Sequence, residues 1–293
     1  MFSHLHVAWA TIRNDVIRWV ETKRDERMAA NRRVTLWKRF DAFRAHLDGW
    51  LKSGGWPDPE LWGDYPPMDS DALKMSDYLF IPEIRGILEA PDDKPFTQAD
   101  FDTALRPKMA DLVIRWYWER WEELTTFLRA SFGSGSSVDD VDDPLLLATY
   151  TFDCACPKAI CHAQFMAFPR VLEHRCSYVD LALDAQMGQA YELNVTSYLA
   201  RTQIKPRWTT DDILVNKRVT PKKASAIVKA CGLDPGIATV QDMWECKKRL
   251  LCGTCFDEPS PSGGYQIFNW KGAVSSFARF SLVVTQDVLR VAD

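Results

Sequence analysis

Cysteine spacing is the feature that most constrains how this chain can fold. Four of its eight cysteines lie in the segment FDCACPKAICHAQFMAFPRVLEHRC, which runs from Phe152 to Cys176. Two more form the pair Cys252-Gly-Thr-Cys255. Two thiolates separated by two residues can bind the same tetrahedral Zn²⁺, because a short turn brings both sulfurs to the ion. One such pair is a weak signal on its own, so the long cysteine segment has to supply the other ligands.

Two ligand sets are compatible with these spacings. In the first, Cys154 with Cys156 or Cys161 joins the later pair in one site that ties the C-terminal region together. In the second, the long segment closes its own site with Cys156, Cys161, His174 and Cys176. The candidate zinc ligands are Cys154, Cys156, Cys161, His174, Cys252 and Cys255.

The cysteines also allow two interpretations without a metal. Free cysteine is among the most buried residue types, so these residues could simply pack in a core. A redox dithiol at Cys252 and Cys255 is disfavoured, because the pair follows a predicted helix instead of opening one and runs into an acidic loop. Cys231 and Cys246 fall in predicted helices, where we expect unreactive core thiols.

Helical periodicity dominates the first half of the chain. Apolar residues recur at steps of three and four through residues 3–50, which predicts one long helix, or two with a bend near residues 29–31. From Arg18 to Arg44 there are nine Lys and Arg against four Asp and Glu, typical of a solvated face or of a docking surface for an acidic partner. A Trp-rich helix is predicted from Met109 to Phe132, with its rings in the core. Thr97 and Thr239 are predicted to cap helices, and Pro107 predicts a break or kink.

The second half is predicted to be a separate domain. A Gly-Ser and acidic stretch at 133–144 is typical of a flexible linker. Beyond it, AYELNVTSYLA and YQIFNW favour strands, whereas residues 221–231, 240–250 and 273–291 favour helices. The predicted fold is mainly α, with an N-terminal helical domain at 1–132 and a smaller, zinc-stabilised α+β cysteine-rich domain at 145–293.

Composition and motifs exclude several functions. The net charge of −4 argues against a dedicated nucleic-acid binder. No apolar run is long enough for a membrane span, and charged residues interrupt the first twenty positions, so no secretory signal is predicted. Catalytic residues are not identifiable, because none of the common hydrolase, metalloprotease or nucleotide-binding motifs is present. We therefore expect a reduced, cytoplasmic or nuclear protein that does not bind membranes.

Three segments resemble a known group of proteins. ATYTFDCACPKAICHAQFMAFPRVLEHRC and AIVKACGLDPGIATVQDMWECKKRLLCGTC resemble the cysteine-rich, zinc-finger-like C-terminal region of a large basidiomycete fungal family, mostly uncharacterised and often described as F-box-domain proteins. YLFIPEIRGILEAPDDKPFTQADFDTALRPKMADLVIRW is similar to the helical region that precedes it there. The resemblance covers about residues 70–280. It implies a helical region, a zinc module and a substrate-adaptor role in a ubiquitin ligase, with a Skp1-type partner.

The chain departs from this family in three places. No F-box is recognisable in residues 1–50, which weakens the adaptor interpretation. Cys154-Ala-Cys156 stands where the family has Cys-x-x-Cys. Ser275 and Ser276 stand near the position where the family tends to have a histidine. A zinc site that used this histidine would have lost a ligand.

The function predicted from the sequence is a non-enzymatic protein-binding role with a structural zinc module, as an F-box-like adaptor. The first alternative is nucleic-acid binding through a basic helical hairpin at 221–250. Six basic residues carry that alternative: Lys222, Lys223, Lys229, Lys247, Lys248 and Arg249. The second alternative is an enzyme of unknown type.

Overall fold

A computed structural model gives the fold of the chain. It describes residues 2–63, 65–70, 72–93, 96–133, 138, 141–156, 165–174, 176, 190–204, 207–216, 221–252, 267–270, 272–273 and 289–292. Side chains are described for these residues except 2–11, 190, 251–252, 267 and 289–292. Within these residues the protein is mainly helical with small sheets, which confirms the predicted fold class.

The chain divides into two compact units, each assembled from separate segments. The first consists of Met1–Trp56, Met75–Ala110 and Leu181–Pro206. The second consists of Pro57–Lys74, Asp111–Asp180 and Arg207–Asp293. The boundary predicted at 133–144 stays a prediction; the structure adds that the first unit includes a segment from late in the chain.

The first unit is built on one long helix, α1, at Phe2–Lys52. It runs through residues 29–31 as a single element, so the one-helix alternative is confirmed. Its second half buries a stripe of apolar residues at helical spacing: Leu36, Phe40, Phe43, Leu47 and Trp50. Gly54 follows the helix with a φ of 73°, a conformation that glycine adopts without steric cost.

Short helices cover this stripe. They are α2 at Met75–Leu79, α3 at Pro82–Leu88 and α4 at Gln98–Leu105. As predicted, Thr97 caps α4: its backbone N–H and its hydroxyl both donate to Asp100, which completes a capping box. A 3₁₀ turn at Arg106–Lys108 interrupts the helical path where Pro107 predicted a break.

The longest helix after α1 is α5, at Met109–Phe132, the bounds that the sequence predicted. In the second unit its aromatic side chains pack with rings from neighbouring segments. Tyr117 contacts Trp62 and Phe168, with ring centroids 4.8 and 5.0 Å apart, and Trp121 lies 4.8 Å from Phe168. The Trp-rich run therefore serves the core, as predicted.

The prediction of a strand at AYELNVTSYLA is wrong. These residues form α6, at Ala190–Thr202, in the first unit. Tyr191, Val195 and Tyr198 are buried at steps of four and three, which is a helical period. Tyr198 packs on Phe40 with ring centroids 5.0 Å apart, and this burial on α1 outweighs the strand preference of Tyr, Val and Thr.

Two small antiparallel sheets belong to the second unit. β1 at Phe152–Cys154 pairs with β2 at Ile213–Val215. β3 at Arg249–Cys252 lies between β4 at Ile267–Phe268, a predicted strand, and β5 at Leu289–Ala292. The predicted helix at 273–291 is thus wrong at its end, where β5 forms, and its residues 274–288 lie outside the described part of the chain.

Two further helices belong to the second unit. α7 at Pro221–Ala230 buries Ala224, Ile227 and Val228, and Gly232 ends it with a φ of 80°. α8 occupies Val240–Glu245 and is capped by Thr239 as predicted. It does not continue to residue 250, because β3 begins at Arg249 and pairs on both sides. Among the described helices, none has the length and apolar composition needed to cross a lipid bilayer.

Candidate metal centre

The end of strand β1 positions two cysteines. Cys154 lies opposite Ile213 in the sheet, and Ala155 donates its N–H to the carbonyl of Asp212 at 2.9 Å. The backbone N–H of Cys156 then donates to Cys154 Sγ at 3.3 Å. Such a donor stabilises the charged form of the sulfur, which is the form that binds metals. The turn that places one residue between the two cysteines therefore brings them together.

The chain lies beside β1 again from Phe165 onward. Phe152 and Met166 exchange two backbone hydrogen bonds of 2.8 Å each, and Phe165 donates its N–H to Asp153 Oδ1 at 3.1 Å. A 3₁₀ helix at Arg170–Glu173 follows, fixed by the fully buried Val171 and Leu172. The chain is thereby directed back to the same edge of the small sheet.

Cys176 completes a cluster of three thiols at this edge. Its Sγ lies 3.2 Å from Cys156 Sγ, which is too far for a disulfide bond of about 2.05 Å. The Sγ atoms of Cys154, Cys156 and Cys176 all lie within 4.8 Å of one another. Around a tetrahedral Zn²⁺ with Zn–S bonds of about 2.3 Å, sulfurs are about 3.8 Å apart. The cluster is therefore compact enough to bind one ion, and all three residues are half-buried.

The structure brings together only part of the predicted ligand set. Cys154 and Cys156 are in the cluster, and Cys176, a member of the second predicted ligand set, is the third. His174 is described, yet its ring nitrogens do not belong to this group; burial lowers its pKa, partly opposed by the charge of Asp212. The signal for Cys176 was its place two residues after His174 in the cysteine-rich segment.

The remaining predicted ligands cannot be placed relative to the cluster. Cys161 and Cys255 lie outside the described residues. Cys252 is the last residue of β3, where it pairs with Leu289, and its backbone alone is described. The cluster matches neither predicted set as a whole, because Cys154 belongs to the first set and Cys176 to the second.

A pocket in the second unit is lined in part by residues 167–170. It has a volume of about 620 Å³, and its walls include Tyr65, Phe168 and Trp244. Of the described residues that line it, only Arg170 carries a full charge, and its guanidinium lies 4.9 Å from the centre of the Trp244 ring. This lining suits an apolar group, and it offers no pair of titratable residues for acid–base catalysis.

In the first unit, His46 and Asp102 form a histidine–carboxylate pair. His46 Nδ1 and Asp102 Oδ1 are 2.6 Å apart, and the His46 side chain is fully buried. The hydrogen bond with His46 holds the pKa of Asp102 below its usual range, with a smaller contribution from Arg106. In the described part of the chain His46 Nε2 is buried without a hydrogen-bond partner, so no nucleophile contacts it. The pair fixes α4 to α1 and does not form a catalytic triad.

The predicted basic hairpin at 221–250 contains two helices, α7 and α8, but the second is shorter than predicted. α8 ends at Glu245, and the basic residues that follow it lead into β3. Lys222 and Lys229 are exposed on α7, whereas Lys247 and Lys248 lie in the connection before the strand. The three basic residues at 247–249 therefore do not lie on a helix, and nucleic-acid binding through this hairpin stays a prediction.

Known proteins give no further information about this site. Comparisons of the chain with models of protein families, with curated proteins and with solved structures found no match.

Proposed function

We propose that Cys154, Cys156 and Cys176 bind a structural Zn²⁺ in a non-enzymatic, protein-binding protein. The observation that carries this proposal is the approach of three Sγ atoms to within 4.8 Å of one another. Thiolates select soft or borderline metals, and a thiolate-rich tetrahedral site is typical of zinc or of an iron–sulfur cluster. Zinc is favoured because cysteine-rich zinc sites with four protein ligands are the common structural type.

The fourth ligand would come from the candidates that the sequence supplies. Cys161 would close the site within the segment that already provides the other three. Cys252 or Cys255 would instead connect β3 to the small sheet of β1 and β2. Either choice gives a closed site with no open position for a substrate, which is the arrangement of a structural ion.

The bound ion would stabilise the fold of the second unit. It would join the end of β1 to the residues that follow the 3₁₀ helix, two points that are twenty residues apart in the chain. A metal that binds the folded chain and not the unfolded one contributes its binding free energy to folding. We place the protein in the cytoplasm or nucleus, where thiols stay reduced and available to zinc.

The protein-binding part of the proposal is supported by the fungal resemblance and by the predominance of helices. In its narrower form the chain is a ubiquitin-ligase adaptor that binds a Skp1-type subunit. A pull-down with a purified Skp1-type protein tests this form, with α1 truncated as the comparison. Failure of the full chain to bind would remove the adaptor role and leave the zinc proposal standing.

Metal analysis tests the zinc site directly. The full chain, purified without a histidine tag, is expected to contain about one zinc per molecule by plasma mass spectrometry. Cys176→Ser should reduce this several-fold, whereas Cys246→Ser, a half-buried cysteine outside the cluster, should not. Serine variants of Cys161, Cys252 and Cys255 would identify the fourth ligand. Iron with a visible absorbance band, or less than about a tenth of a zinc per chain, would refute the proposal.

A further inference from the structure

Helix α1 has two apolar surfaces, and only one of them is buried. The second half of the helix buries residues such as Leu36 and Phe40, whose side chains are 2% and 0% exposed. Among the side chains described, the first half exposes five large apolar ones; Ile17 lies about 100° around the axis from Val16, and the other four lie together on one side. We call these four residues the α1 stripe: Ile12, Val16, Trp19 and Val20, with exposed fractions of 51%, 42%, 62% and 52%.

The stripe faces away from the buried surface of the same helix. Val16 and Leu36 are twenty residues apart, as are Val20 and Phe40. At 3.6 residues per turn this separation is about five and a half turns, so the members of each pair point to nearly opposite sides. Elements that extended along the buried side of α1 would therefore not cover the stripe.

The stripe itself is continuous. Ile12, Val16 and Val20 follow one another at steps of four, and Trp19 lies beside them at a step of three from Val16. A helix with little tertiary packing is marginally stable in water, and exposed indole and aliphatic groups are unfavourable there. Four such residues on one side of a helix are typical of a surface that packs on another helix.

The charge next to the stripe indicates what kind of helix would fit. Lys23 and Arg27 follow Val16 and Val20 by seven residues each, which is close to two turns, so they extend the same side of α1. Both are exposed, and Lys23 reaches only the equally exposed Glu26, at 2.7 Å. A second copy packed parallel and in register would place Lys23 against Lys23 and Arg27 against Arg27. An acidic partner would instead gain attraction at both positions.

We infer that the α1 stripe, together with Lys23 and Arg27, is a docking surface for an acidic amphipathic helix of another protein. The partner helix would place apolar residues at steps of three and four on the stripe and carboxylates opposite the two basic residues. This inference rests on the protein-binding part of the proposed function and gives it a location, and it does not depend on the zinc site. The charged contacts are exposed, so salt should weaken the binding.

Two designed peptides test this surface on the full chain. Both are amphipathic helices with leucine at heptad spacing; one has glutamate on its flanks and the other has lysine. By fluorescence anisotropy, the acidic peptide should bind at least about ten times more tightly than the basic one. The double variant V16E/V20E should lose this binding at least ten-fold, and K23E/R27E should reverse the charge preference.

Met28 provides the matched control. It is 62% exposed on the same helix, about 120° around the axis from Val16 and outside the stripe, so Met28→Glu should leave peptide affinity unchanged. Equal affinity for both peptides would overturn the inference, as would a dimer in sedimentation that V16E/V20E dissociates, or binding to phosphatidylserine vesicles in place of the acidic peptide. Zinc content measured on the same samples separates this outcome from a failure of the metal site.

Discussion

Cys176 lies with its Sγ 3.2 Å from that of Cys156, although twenty residues separate the two in the chain. An ion shared by them would close a loop of this length. Cross-links that close such loops stabilise the folded state by about 3 kcal/mol in the chain-entropy model. We expect a chelator such as EDTA to lower the free energy of unfolding of the wild-type protein by at least about that amount, because it also removes the binding free energy of the ion. Urea unfolding followed by circular dichroism measures the change.

The comparison with Cys176→Ser makes this a test of the cluster. The variant should be less stable than the wild type, and the chelator should change its stability little further, because the two treatments remove the same interaction. Cys246→Ser should respond to the chelator as the wild type does. An equal response of the wild type and Cys176→Ser would mean that this thiol is not a ligand.

Elements that depend on local signals could be predicted from the sequence. The capping boxes begun by Thr97 and Thr239 are encoded within four residues, and both helices begin where these residues predicted. α6 could not be predicted in the same way. Its Tyr, Val and Thr residues have strand propensity. The helix is favoured by the packing of Tyr198 on Phe40, which lies in a distant segment of the sequence.

The candidate site, too, could be predicted only in part from local sequence signals. Cys154 and Cys156 were predicted as ligands because they are neighbours in the sequence. Cys176 reaches them only because the chain returns to β1 at Met166 and then turns at the buried Val171. No spacing rule encodes this return, so the sequence alone could not rank Cys176 above His174.

Arg39 should contribute strongly to the stability of the first unit. It is almost fully buried on α1 and donates to the carbonyl oxygens of Leu88 at 2.8 Å, of Pro91 at 2.7 Å, and of Ala90. Arg39→Met keeps much of the volume but removes the donor to the carbonyls of Leu88 and Pro91, which should cost about 3 kcal/mol. Chemical denaturation measures this loss.

Two further variants test whether the loss of stability comes from the buried guanidinium. Arg39→Lys should recover only part of the loss, because one ammonium group cannot reach carbonyls that the forked guanidinium spans. Lys38→Met changes the exposed neighbour and should alter the stability by less than about 0.5 kcal/mol. Equal effects of Arg39→Met and Lys38→Met would show that the buried guanidinium is not needed.

The His46–Asp102 contact should make the stability depend on pH in the acid range. The pKa of Asp102 is lowered in the folded state, chiefly by its hydrogen bond with His46. The contact therefore stabilises the fold fully above the ordinary carboxyl pKa of about 3.9, and this contribution is lost as the pH falls through the lowered value. The stability difference between wild type and Asp102→Asn should accordingly shrink between about pH 4 and pH 2.

Urea unfolding at several pH values would measure that difference. Asp48→Asn alters an exposed carboxylate on the same helix as His46. Its stability difference from the wild type should not decrease in this way at low pH. A wild-type minus Asp102→Asn difference that stayed constant from pH 7 to pH 2 would contradict the assignment of a stabilising charge to Asp102.

The thiol of Cys231 should resist alkylation in the folded protein. Burial, followed by its interaction with Cys246, raises the pKa of Cys231 to about 12, and Lys248 opposes the shift only in part. At pH 8 the reactive thiolate would then be rare at this position in the folded protein. Iodoacetamide should label Cys231 at least about a hundred-fold more slowly in the folded chain than in urea. Peptide mass spectrometry would follow both rates, and labelling of Cys231 as fast in the folded as in the unfolded protein would refute its burial in the core.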